Sequence, residues 1–210
     1  MTKELSAMKL AYSPTSPYVR KVMVLLHETG QLADVALEVK SGTPLAPAEG
    51  LPAMNPLGKV PALARDEGPT LYDSRVICAF LDDRASAGLY GTGARRWDIL
   101  TLEATADGML DAALLMVYEG RLRPEEIRMA DFVEAQWAKI DRALDALESR
   151  WTSHLAGPLD MGQIAVGCAL GYLDLRHGAR NWRAGRPDLA KWFEGFESRE
   201  AMQKTRPPAA

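Results

Sequence analysis

Three short stretches of this chain hold the residue types that could do chemistry. Ser13-Pro14-Thr15-Ser16-Pro17 gathers three hydroxyls where a strand gives way to a helix. Asn55-Pro56-Leu57-Gly58-Lys59-Val60 runs straight into the apolar stretch Pro61-Ala62-Leu63. Asp73-Ser74 opens a further helix. Serine is a favoured helix cap and proline a favoured first helical residue, so Ser16-Pro17 reads as a helix start. The Ser16 hydroxyl can accept from that helix and still donate to a ligand. Proline has no amide hydrogen and tolerates the cis bond better than any other residue. A Val60-Pro61 bond at the head of a strand can therefore leave backbone groups of the preceding residue to pair with an extended ligand, which is recognition by β-addition. The helix start at Asp73-Ser74 suits an anion.

These stretches need elements to hold them. Lys9-Leu10-Ala11-Tyr12 reads as a strand. Val19, Val22, Met23 and Leu26 then recur at helical spacing, and Gly30 ends the run. Val35 to Val39 is a second strand, which makes a βαβ unit with a right-handed crossover. Ser41 to Met54, rich in Pro, Gly and Ala, is an irregular loop with room for a helical turn. Pro61 to Ala64 and Thr70 to Tyr72 give two more strands around the turn Asp66-Glu67-Gly68-Pro69. The helix Ser74 to Arg84 follows, with Val76, Ile77, Phe80 and Leu81 on its buried side. Ala87 to Ala94 contains three glycines and reads as a linker. Beyond it strand signals vanish. Val133, Trp137, Ile140, Leu144, Leu147 and Trp151 form the apolar stripe of a long helix. Asp160 and Gln163 form a capping box ahead of a helix over Ile164 to Arg176.

Composition narrows the classes. The 210 residues suffice for one large domain or two small ones, and the formal charge of −3 argues against nucleic-acid binding. No stretch approaches ~18 uninterrupted apolar residues, so nothing is expected to span a membrane. Met1 to Ala7 has no apolar signal core and reads as a disordered tail, with Met8 a second candidate start. Cys78 and Cys168 lie far apart in apolar helical patterns and read as small buried hydrophobes, so a reducing cytoplasm is the expected setting. His27, His154 and His177 lack metal-ligand spacing and are expected at the surface; no metal is expected. Arg20-Lys21 reads as a solvated helix face or as a steering group for an anion. Asp107, inside an apolar helix, needs a partner, supplied by an internal ion pair or a cap.

The motifs Ser16 to Lys21, Asn55 to Leu63 with the Asp73-Ser74 helix start, Ala106-Asp107-Gly108 and Ser198-Arg199-Glu200 resemble the glutathione transferase superfamily of cytosolic type, and within it the bacterial YibF-like branch. The resemblance spans nearly the whole chain. It implies an α/β thioredoxin-like N-terminal domain, of order βαβ-ββα, followed by an all-α helical-bundle domain. The boundaries expected are 8–86, a linker at 87–94, and 95–210. It also implies glutathione as co-substrate, with no metal and no nucleotide. Ser16 is the first choice to activate the thiol, with Ser13, Thr15 and Tyr12 as rivals and a cap-only role as the plain alternative.

For the rest of the tripeptide the resemblance implies that Lys59 meets the glycine carboxylate, unless it is only a solvated side chain. The Val60 backbone, ahead of a cis Pro61, pairs with the cysteinyl amide. Asp73 and Ser74 hold the γ-glutamyl end. Tyr12, Asp107, Met109 and Met116 would line a pocket for a small hydrophobic electrophile or a peroxide, and Asp107 would stand near the γ-glutamyl group of a partner subunit. A two-fold homodimer is expected, with Val76, Phe80, Trp97, Leu100 and Leu102 covering a partner or else filling the seam between the two domains. The implied activity is glutathione transfer, with peroxidase activity as an extension. A thiol-disulfide oxidoreductase and a non-catalytic glutathione-binding protein remain the alternatives.

Overall fold

The computed structural model describes residues 8–208; the expected tail over Met1 to Ala7 lies outside the described residues. The described chain divides into two compact units. One runs to Leu89 and takes in Lys204–Pro208; the other is Tyr90–Gln203.

The first unit is built on a three-stranded mixed sheet of order β2-β1-β3. Strand β1 (Met8–Tyr12) runs parallel to β2 (Val35–Val39), from Met8↔Val35 to Tyr12↔Val39, and antiparallel to β3 (Ala62–Ala64), with Leu10 opposite Leu63. Helix α1 (Pro17–Glu28) makes the crossover between the parallel pair and buries Val19, Val22, Val24, Leu25 and Leu26. Gly30, at φ +68°, follows its end in the left-handed conformation that glycine adopts without strain. A single turn, α2 (Leu51–Met54), interrupts the loop before β3, and α3 (Ser74–Ala85) packs against α1.

Three expectations in this unit need correction. The fourth strand, Thr70 to Tyr72, shrinks to one bridge in which Leu63 and Leu71 exchange N–H···O bonds of 2.9 Å. Of the three residues between Pro69, which has no N–H, and Asp73, which caps α3, Leu71 alone pairs with β3. The buried face of α3 is turned by one residue: Ile77, Cys78, Leu81 and Asp82 are inside, Phe80 is half-buried, and Val76 is 47% exposed. Asp82 can go inside because its carboxylate accepts the Leu89 N–H at 2.8 Å. Finally, Arg20 and Lys21 are buried, Lys21 completely, rather than on a solvated face. The Arg20 guanidinium meets Thr205 Oγ1 at 3.5 Å, on the returning C-terminal segment of the same unit.

The second unit is helical: α4 (Gly93–Leu122), α5 (Ala130–Arg150), α6 (Thr152–Leu155), α7 (Met161–His177) and α8 (Pro187–Glu197), with α9 (Glu200–Lys204) at its end. Helix α7 is apolar almost all round and packs most extensively against α4. Two glycines permit close approaches. A Cβ on Gly162 would stand 2.9 Å from Leu102 Cβ, and one on Gly167 would stand 2.5 Å from Phe196 Cε1. The stripe on α5 is present: Ile140, Leu144 and Leu147 are fully buried, while Val133 and Trp137 are half-buried and Trp151 stands just past the helix end.

The capping box also forms. Asp160 Oδ1 accepts the Gln163 N–H at 3.1 Å, and Gln163 Oε1 accepts the Asp160 N–H at 3.0 Å. Asp160 Oδ2 further accepts from Arg95 and meets His154 Nε2, each at 2.8 Å. His154 and His177 are therefore structural and half-buried, not surface groups, and His177 Nε2–H donates to the Ala113 carbonyl at 3.0 Å. Among the described residues, no helix is long and apolar enough to cross a membrane, and no group of three or more His, Cys, Asp or Glu could hold a metal.

Candidate functional site

The sheet brings the three chemical stretches to one end of the first unit. The pairing of β1 with β3 reaches Ala11↔Ala62, so the chain leaves β1 toward Ser16 beside the point where Val60-Pro61 enters β3. Leu71, bridged to Leu63, lies two residues before Asp73 and the start of α3.

Ser16 is the N-cap of α1, with Pro17 at the first helical position. Its Oγ accepts the Val19 N–H at 3.3 Å, and its own N–H donates to Ser13 O at 3.1 Å. Among the described residues the hydroxyl donates to nothing, so its hydrogen is available at the positive end of α1. Ser13, Thr15 and Tyr12 are likewise half-buried; the Tyr12 carbonyl is engaged by the Lys40 N–H at 2.8 Å.

The loop before β3 is organised by Asn55, to which sequence reasoning assigned no role. Its Nδ2 donates to Lys59 O at 2.8 Å, and its Oδ1 accepts the Leu57 N–H at 3.0 Å. Gly58, at φ +62°, completes the turn with an N–H bond of 2.8 Å to Asn55 O. A buried asparagine in Asn-Pro-x-Gly is the signal that could have revealed it, because this side chain mimics backbone in turns. The Val60-Pro61 bond is cis and Pro61 is buried. Val60 is half-buried, and neither its N–H nor its carbonyl is hydrogen-bonded among the described residues. The Lys59 ammonium is exposed and has no carboxylate partner there.

At α3, Asp73 is the N-cap and Ser74 the first helical residue. Ser74 is 2% exposed, and its hydroxyl makes no hydrogen bond among the described residues. Asp73 Oδ1 accepts the Arg75 N–H at 3.0 Å, and the Arg75 guanidinium grips the carboxylate, Nη2 to Oδ2 at 2.8 Å. Partial burial pushes the Asp73 carboxyl up, but the bonds and charge of Arg75, helped by Lys21, outweigh it and hold the group below the usual carboxylate value. Asp73 is thus an anion already half-satisfied by Arg75, a partner the sequence reading had missed.

The remaining candidates sit in the second unit. Asp107, Met109 and Met116 all lie on α4 and all are buried. The burial of Asp107 comes with a partner, as a carboxylate inside requires. Both cysteines are fully buried and neither is in a disulfide.

Comparison with known proteins gives this arrangement a family. Residues 15–84 match the family model of the glutathione S-transferase N-terminal domain, and residues 130–195 that of the glutathione S-transferase C-terminal domain. The uncharacterized GST-like protein YibF of Escherichia coli (strain K12) is 37% identical over 97% of this chain and 100% of its own. Among solved structures, a glutathione transferase family member from Pseudomonas fluorescens Pf-5 with bound glutathione aligns at TM-score 0.94 and 47% identity, covering 97% of this chain and 100% of that one. A glutathione transferase family member from the same strain with bound S-(propanoic acid)-glutathione aligns at TM-score 0.89 and 46% identity, over 96% and 100%. Matched by both family models and, at 37% identity, by a relative over 97% of its length, the chain belongs to the glutathione S-transferase family.

Proposed function

We propose that this protein binds glutathione on its first unit and uses the thiolate to attack an electrophilic carbon. One observation carries the reading: the backbone groups of Val60 stand without partners at the head of β3, as an extended tripeptide would need. In this reading they pair with the cysteinyl residue. Ser74 and its N–H take the γ-glutamyl carboxylate at the start of α3, Asp73 faces the amine, and the Lys59 ammonium meets the glycine carboxylate. Ser16 donates its spare hydrogen to the sulfur, and the α1 dipole adds positive potential. Attack forms a C–S bond while the leaving group departs with its electron pair.

The relatives support this reading. Glutathione is bound in one Pseudomonas structure, and the S-(propanoic acid)-glutathione of the other is a thioether of the kind that conjugation leaves. A peroxide is the second substrate class in this proposal: the thiolate attacks oxygen, the O–O bond breaks, and a second glutathione reduces the product. A thiol-disulfide route through a protein cysteine is disfavoured, because both thiols are fully buried and position 16 is serine. We place the enzyme in the cytoplasm, as a homodimer, in the detoxification of small electrophiles.

Calorimetric titration with glutathione tests the proposal. The protein should bind it, and Ser74→Ala should weaken binding by ~1.5–3 kcal/mol, the worth of a hydrogen bond to a charged group. Absence of binding would overturn the reading, and unchanged affinity in the variant would remove Ser74 from the site.

A further inference from the structure

The second unit holds a cleft of about 530 Å³, within the usual size of a small-molecule site, roughly 300–1,000 Å³. Every residue that lines it belongs to that unit. One wall is a single face of α8, on which Asp188, Lys191, Trp192, Gly195 and Phe196 follow at steps of three and one. Another wall is α6 and the turn after it, which bring Thr152, Leu155 and Gly157 to the same space. Buried Gln163 fixes that turn: its Nε2 donates to the Leu155 carbonyl at 2.9 Å and to the Gly157 carbonyl at 3.1 Å. The apolar part of the lining is mostly aromatic. Trp192 and Phe196 stack, with centroids 4.8 Å apart and planes 26° from parallel. Gly195 adds no side chain, and a Cβ there would meet nothing within 4 Å.

Three charged side chains line the cleft, and they differ in what they already hold. Arg199 is engaged; its guanidinium lies over the Phe196 ring, 5.8 Å from the centroid. Asp188 and Lys191 stand three apart on one helix face, a spacing that favours pairing. Yet they make no ion pair with each other, and neither side chain bonds any other described residue. Nor is the Asp188 carboxylate needed as a cap. Glu148 takes that role, accepting the Asp188 and Leu189 N–H groups at 3.2 and 2.8 Å. One open anion and one open cation therefore stand beside an aromatic wall. A simple anion would leave Asp188 facing like charge, and a simple cation would do the same to Lys191. An α-amino acid answers both, because it carries ammonium and carboxylate on one carbon, and an aromatic side chain suits the stacked rings.

We propose that this cleft binds the zwitterion of an aromatic amino acid, with its ammonium on Asp188, its carboxylate on Lys191 and its ring against Trp192. The site does not depend on the transferase reading, whose glutathione-binding residues lie on the first unit.

Calorimetric titration of the whole protein with L-phenylalanine, without glutathione, tests the proposal. L-phenylalanine should bind saturably. L-phenylalanine amide lacks the carboxylate and 3-phenylpropionate lacks the ammonium, so each should bind about tenfold or more weakly, the loss of one charge-assisted contact. Lys191→Gln should bring L-phenylalanine and its amide to equal affinity, and Asp188→Asn should do the same for L-phenylalanine and 3-phenylpropionate. Gly195→Leu fills the cleft and should abolish binding without lowering the melting temperature, since leucine also favours a helix more than glycine. Absence of saturable binding would overturn the proposal. So would 3-phenylpropionate binding as tightly as L-phenylalanine, or undiminished binding to Gly195→Leu.

Discussion

Replacing Ser16 with alanine separates its two roles. Its Oγ accepts the Val19 N–H at 3.3 Å, a long bond for an N–H donor. Losing that cap should cost the lower part of the usual range, about 0.5–1 kcal/mol. In a chain of this size the melting temperature falls by about 1–4 °C for such a loss. The proposed bond to sulfur is worth more. A donor to a charged acceptor contributes ~1.5–3 kcal/mol, which at 1.36 kcal/mol per unit is ~1–2 units on the thiol pKa. The sign follows from which form is bonded: the donor favours the thiolate, so its removal moves the thiol toward the free value of ~8.5.

The assay is kcat/KM against pH with a chlorodinitrobenzene. The alkaline shift should appear as a rate loss of about 10–100-fold on the acid side, closing toward high pH. Ser16→Thr keeps both a capping and a donating hydroxyl and should recover part of each effect. A lower melting temperature with an unmoved pH profile would reduce Ser16 to a cap, and the search would pass to Ser13, Thr15 and Tyr12.

Asp160→Ala should destabilise the second unit by about 1–3 kcal/mol in urea denaturation, because it leaves the buried Gln163 N–H without its acceptor, while the half-exposed Arg95 can turn to water; Asp160→Asn, which can keep the cap, should cost less. His177 predicts an acid limb of stability: burial holds it below 6.5, the charges of Arg180 and Arg176 push the same way, and the bond to Ala113 opposes them. The unfolded chain then takes the proton first, so this stability is complete above about 6.5 and is lost as pH falls through the folded value; His177→Gln should flatten that limb, and an unchanged melting profile would clear His177 of the role. The proposed dimer draws on exposed Val76 and Trp97, and light scattering at micromolar protein should give twice the chain mass; a monomer would refute it.

What the sequence disclosed was what is decided locally. The Ser16-Pro17 start, the Asp160-Gln163 box and the Ile140-Leu144-Leu147 stripe each depend on residues within a turn or two, and each is present in the structure. What it hid depends on distant partners. The face of α3 could turn either way until Asp82 found the Leu89 N–H. Lys21 carries the mark of a surface residue, and nothing near it in the chain announces its burial. Arg75 could not be seen gripping Asp73 without its side-chain direction. Thr70 to Tyr72 had strand composition, but the ladder was cut short by its neighbours at Pro69 and Asp73.

Asn55 has a consequence for how a ligand binds. Its carboxamide ties the Leu57 N–H to the Lys59 carbonyl, so the approach to Pro61 is held from both sides by the protein itself. The conformational entropy of this loop is then surrendered during folding, before any tripeptide arrives, and association need not supply it. The tie also occupies the Lys59 carbonyl and leaves the Val60 backbone as the next unpaired step. The same side chain thus sets the register in which an incoming strand can pair and lowers the entropic penalty of pairing.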